Sequence, residues 1–109
     1  MSGQTTDQTI TNGHAGMLHG RIDKALDDQL PALLAAIERS RDIRDKTSLA
    51  SVALDISSRA HADAMTLLDA GRIDNGTANG LFDQAHAAAH DAAGECGMDL
   101  EDLEQHSGY

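Results

Sequence analysis

Histidine has the widest chemical range of any side chain here, since a neutral imidazole ligates metals and its protonation changes charge near neutral pH. Six are present: His14, His19, His61, His86, His90 and His106. His86 and His90 stand four apart, a spacing that sets two rings on one helix face, and Asp83 and Cys96 lie near enough in sequence to complete a metal shell. The helical projection points the other way. With Leu81 at zero, His86 falls at about 140° and His90 at about 180°, across from an apolar face centred at about 20°. Both rings are therefore expected in water unless a second subunit covers them. His61 differs, because it falls in an apolar stripe with Leu54, Met65 and Leu68. There it is either packed and hydrogen-bonded or a protonation switch at an interface.

Other routes to chemistry are poorly furnished. Cys96, the only cysteine, sits between Gly94 and Gly97 with Glu95 and Asp99 beside it, negative neighbours that raise a thiol's pKa and blunt it as a nucleophile. Gly71, Gly76 and Gly80 lack the Gly-Lys-Ser/Thr ending of a phosphate loop, and no strand precedes them. The carboxylate pairs Asp27-Asp28 and Glu101-Asp102 fall on polar faces, and the Glu-x-x-His pairs of di-iron bundles are missing. Arg39, Arg41, Arg44 and Lys46 form the one basic concentration, interleaved with Glu38, Asp42 and Asp45 and without aromatic neighbours, so base stacking has no support. Nothing in these residues implies a cofactor.

Charge is unevenly placed. The formal net charge is −10, yet residues 14–46 balance six basic against six acidic side chains, whereas residues 74–109 carry eight acidic ones and no Lys or Arg. A field of that sign repels phosphate backbones and anionic membranes, which excludes nucleic acid as a direct ligand. Asp outnumbers Glu 14 to 4, a bias that genome composition or life in high salt would also produce. No apolar run reaches a membrane span, residues 1–13 do not read as a signal segment, and a single cysteine suits a reducing compartment. The expected location is cytoplasmic, and Asn75-Gly76-Thr77 is then a chance glycosylation match.

The elements that position these residues read as helices. Residues 1–13 are polar and aperiodic, a disordered arm. Leu18, Ile22, Leu26, Leu30, Leu33 and Ile37 recur at spacings of four and three and predict a first helix over 14–39, with a kink or break at Pro31. The charged stretch 39–46 reads as a connection, with Thr47 or Ser48 as the next cap; a single long helix is the alternative, since no Gly or Pro occurs between Ala32 and Ala70. The second helix carries Leu49, Val52, Ala53, Ile56, Ala60, Ala64 and Leu67 plus the adjacent stripe of Leu54, His61, Met65 and Leu68, and Gly71 stops it. Asp74 is placed to cap a third helix over 75–93, whose inward face is Leu81, Ala85, Ala88 and Ala92 with Phe82 at the flank.

The expectation is an all-α helical hairpin or three-helix bundle over residues 14–95, completed by dimerisation, with an acidic C-terminal tail over 96–109. One domain is the natural count for 109 residues, and with only Phe82 and Tyr109 as aromatics its core is thin enough for a partner subunit to help. The functional expectation is a non-catalytic regulatory or assembly module that binds protein. Leu54, His61, Met65 and Leu68 are the expected homodimer interface. Asp91, Glu95, Asp99, Glu101, Asp102 and Glu104 form an acidic patch for a basic partner, or for docking onto the 39–46 loop. Two other classes stay open: an acidic inhibitor occupying a nucleic-acid groove on another protein, and a bundle holding metal through His86 and His90.

Overall fold

A computed structural model describes residues 10–106, and every element among them is helical. The chain forms α1 (Asn12–Lys24), a π turn (Ala25–Gln29), α2 (Leu30–Arg39), α3 (Ile43–Asp69), α4 (Asn75–Glu95) and α5 (Leu100–His106). The arm expected over 1–13 lies outside the described residues up to position 9, and the last three residues of the expected tail lie outside them too.

Pro31 does not break the first helix. Leu30, which precedes it, stays in the right-handed helical region at φ −66° and ψ −45°, and its N–H donates to the Ala25 carbonyl five residues back. The widened turn absorbs the missing donor of proline and relieves the clash of its ring with the carbonyl four residues earlier. It also resets the apolar phase. In an uninterrupted α-helix Leu30 would stand about 120° round from Leu18; the one residue inserted by the π turn takes back about 100°. Leu18, Ile22, Leu30 and Ile37 are consequently all buried on one side, while Leu26 and Leu33 are half-buried at its edges.

α3 starts at Ile43, earlier than Thr47 or Ser48 would have started it. Asp42 is the cap, its Oδ1 accepting the Arg44 N–H at 2.8 Å, and a carboxylate there also complements the positive end of the helix. Thr47 instead donates its hydroxyl to the Ile43 carbonyl, and Lys46 Nζ reaches back to the Ile37 carbonyl at 2.7 Å, satisfying an acceptor at the end of α2. The α2–α3 corner is thus only residues 40–42. At the far end Gly71 has φ +72°, with Arg72 N–H on the Leu67 carbonyl and Gly71 N–H on that of Leu68, the paired bonds of a glycine-stopped helix. Gly97, at φ +74°, ends α4 in the same way two residues beyond Glu95, so Gly94 lies within the helix and does not stop it. Asp74 caps α4 as its type and position predict, accepting from Thr77 N–H at 2.7 Å.

The α1–α2 arm runs antiparallel to α3, and α4 returns along α3, giving a three-helix bundle 56 × 24 × 21 Å. One core cluster joins Leu30 and Ile37 of α2, Ala50, Ala53 and Leu54 of α3, the end of α4, and Leu103 of α5. A second joins Ala15, Leu18 and Ile22 of α1 with Ala64 and Leu67 of α3. α4 buries only alanines, namely Ala78, Ala85, Ala89, Ala92 and Ala93, so it approaches α3 closely. Its inward face is therefore turned about 45° from the one centred near Leu81, and Leu81 and Phe82 are half-buried beside it. Residues 96–106 are not a loose tail: Cys96 and Leu103 are buried, and Met98 and Leu100 pack on the first cluster.

Candidate functional site

The stripe expected at an interface is divided by this fold. Leu54 is 3% exposed and belongs to the core that α4 and α5 close over it. Leu68 is half-buried, and of the four only Met65 and His61 are exposed. His61 does not sit bare, because its ring lies against Phe82 of α4 with centroids 4.3 Å apart. The Leu54 part of this stripe is thus covered within the chain, in part by the seven-residue α5 that periodicity alone treats as a tail: α5 is short, but Leu100 and Leu103 reach the core.

Rotation of α4 also moves His86. It lines a small pit of ≈ 240 Å³ with Ser57, Ser58 and His61 of α3 and Glu104 of α5. The Ser57 hydroxyl donates to the Leu54 carbonyl of its own helix at 2.9 Å, so this serine is not aimed at an imidazole. His86 and His90 have ring centroids 6.3 Å apart and are tilted relative to each other. Cys96 is no fellow ligand, being ten residues along the helix from His86, about 15 Å, and buried in the core. Among the described residues no three His, Cys, Asp or Glu side chains are grouped to hold a metal ion.

Burial, above all, pushes the Cys96 thiol up; Thr47 and Lys46 pull in the opposite direction and Glu95 adds a smaller upward push. The sequence suggests negative neighbours as the cause, whereas desolvation dominates. Cys96 is held between the start of α3 and the Gly97 turn, and it is not a flexible thiol between glycines.

The acidic side chains expected to form a patch are spread over the end of α4, the Gly97 turn and α5. Asp91 and Glu95 on α4, Asp99 in the turn, and Glu101 and Asp102 on α5 are all exposed; Glu104 is half-buried at the rim of the pit. Asp99 Oδ1 accepts the Asp102 N–H at 3.0 Å, which fixes the start of α5. Glu38 of α2 joins them across a groove of ≈ 380 Å³ that it lines with Leu34, His90, Asp91 and Glu95. Local spacing has no signal for Glu38, because the α2–α4 approach brings it there. The basic residues Arg39, Arg41 and Arg44 are exposed around the α2–α3 corner, at the same end as the Gly97 turn, where Arg44 and Met98 line one depression.

A second polar feature escapes periodicity altogether. Arg21 of α1 holds Asp63 of α3 through Nε–Oδ2 at 3.0 Å and Nη2–Oδ1 at 2.6 Å, and Asp63 is buried although it lies on a helix rich in exposed Asp and Ser. The bond to Asp63, with the carboxylate's charge behind it, raises the guanidinium's pKa further above its already high value. No described helix is long and apolar enough to cross a membrane. Set against known protein families, curated proteins and solved structures, the chain matches none.

Proposed function

We propose that this chain is a non-catalytic protein-interaction module that presents the acidic face of α4 and α5 to a basic partner protein. One observation supports the reading: Asp91, Glu95, Asp99, Glu101 and Asp102 are each exposed on the end of α4, the Gly97 turn and α5, and residues 74–109 contribute no Lys or Arg among them, the basic residues of the α2–α3 corner meeting this part of the chain where Arg44 and Met98 line one depression. A surplus of negative surface charge accelerates encounter with a basic surface and disfavours acidic ones. Glu38 extends the field across the α2–α4 groove, where Leu34 adds apolar surface for a partner side chain to cover.

The test replaces Asp91, Glu95, Asp99, Glu101 and Asp102 with their amides in the full chain and compares the proteins that co-purify with each chain from cells without crosslinking. A basic protein should be recovered with the native chain, lost with the amide variant, and released from the native complex as salt rises to about 0.5 M. Equal recovery with both chains would remove the acidic face from the account. Release by added duplex DNA would show the face standing in for a nucleic acid on that partner.

A further inference from the structure

On the side of α3 away from α4, a groove of ≈ 770 Å³ runs between α3 and the α1–π-turn arm. Ala25, Val52, Ile56, Ala60 and Ala62 supply its apolar lining, and Arg21, Lys24 and Arg59 stand along it. Val52 is 48% exposed there, although α3 has a well-filled core face on its other side. The outer face of α3 has a regular pattern: Ser48, Val52, Asp55, Arg59, Ala62 and Thr66 follow one another at spacings of four and three. Such a stripe is what one helix presents to another packed nearly parallel or antiparallel to it.

Read in reverse, the stripe complements itself. In an antiparallel pairing of two α3 helices about a two-fold axis near position 57, Ser48 faces Thr66, Val52 faces Ala62, and Asp55 faces Arg59. The charges therefore meet in opposite-sign pairs twice, once on each side of the axis, and the small residues at both ends allow close approach. Within one chain Arg59 already reaches Asp55 at 3.1 Å, with side-chain exposures of 75% and 39%, so both groups stand at the surface from which a partner would approach. A parallel pairing would instead set Asp55 against Asp55 and Arg59 against Arg59. A two-fold axis closes a dimer of identical chains with its helices either parallel or antiparallel, and here the charge pattern selects the antiparallel one.

We propose that the α1–α3 groove is the surface on which two copies of this chain associate, with α3 against α3 and exchanged Asp55–Arg59 pairs across the axis. This surface is separate from the acidic α4–α5 face and leaves that face free for another protein. Val52 becomes covered at the Ala62 of the second copy, and the α1 side chains Arg21 and Lys24 flank the contact.

The experiment is solution mass by light scattering and native mass spectrometry on the full chain across a concentration series. The native chain should be dimeric at the top of the series. Asp55→Arg and Arg59→Asp should each weaken self-association at least tenfold, by placing like charges across the axis. An equimolar mixture of the two variants restores opposite-sign pairs and should return association as a heterodimer of the two chains. Val52→Arg, at an exposed position outside the charge pairs, should weaken the dimer as well, with helical content by circular dichroism unchanged in all three. A native chain that is monomeric throughout, single variants that dimerise as tightly as the native chain, or a mixture that stays monomeric would each overturn the proposal. Partner capture by the acidic face is read separately, so the two proposals fail independently.

Discussion

Arg21 and Asp63 join α1 to α3 through two hydrogen bonds, across a separation of 42 residues in sequence, at a carboxylate whose side chain is only 11% exposed. The Arg59–Asp55 pair is a different object, a single-helix i,i+4 contact at the surface. Removing the cation from a nearly buried carboxylate strands that charge, whereas removing an exposed pair forfeits little. Arg21→Ala should therefore lower the urea midpoint clearly more than Arg59→Ala, and adding Asp63→Asn to Arg21→Ala should recover part of the loss. Equal midpoints for the two alanine variants would mean that the interhelical pair does not hold α1 in place.

Leu103 is fully buried on a helix of seven residues, which makes it the fastening point of α5. Leu103→Ala should cost about 2–5 kcal/mol in equilibrium unfolding, the usual range for an emptied buried leucine site. Met65→Ala, at a side chain 42% exposed, should stay within about 0.5 kcal/mol. If Leu103→Ala is as mild as Met65→Ala, α5 is not part of the cooperative core.

Periodicity recovers helix identity here because the aliphatic residues of α1, α2 and α3 repeat on one face, and capping chemistry recovers Asp74 and Gly71 because each satisfies local backbone groups. What local pattern does not carry is phase and partner. Leu18 and Ile37 look misaligned in an ideal helix, and only a widened turn ahead of Pro31 reconciles them. Alanine contributes so little to a hydropathy pattern that Leu81 and Phe82 outweigh the five alanines that α4 buries, and the face shifts accordingly. The same weakness hid His86 beside His61 and Glu104. Leu54, His61, Met65 and Leu68 share a stripe in projection, but α4 and α5 decide which of them meets water. Arg21–Asp63 and Glu38 beside Asp91 have no short-range signature at all, since each is made by helices brought together in folding.

Glycine has opposite consequences at two positions in this chain. Gly71 holds φ +72° with nothing within 4 Å of where a methyl would sit, so Gly71→Ala meets no steric neighbour and suffers only the backbone penalty. That should lower stability by about 1–2 kcal/mol. Gly20 lies within α1, again with open space around it. Gly20→Ala should raise stability by roughly 0.5–1 kcal/mol, because it removes conformational freedom from the unfolded chain without strain in the helix. Thermal unfolding of both variants checks the contrast, and a stabilising Gly71→Ala would contradict the left-handed stop at the end of α3.

Acid should weaken the start of α4 through Asp74. The Thr77 N–H bonded to its carboxylate holds the Asp74 pKa below its ordinary 3.8. Ionisation therefore favours the folded chain over the unfolded one. That contribution is complete above the unfolded-chain value and declines as pH falls through the lower, folded value, where both states are protonated. Asp74→Asn keeps a capping oxygen but has no proton to exchange, so it lacks this pH-dependent part while retaining a helix cap. Urea midpoints of the native chain and the variant should differ most near about pH 6 and converge towards about pH 2. A difference that stays constant across that window would show that the carboxylate charge at Asp74 does not support α4.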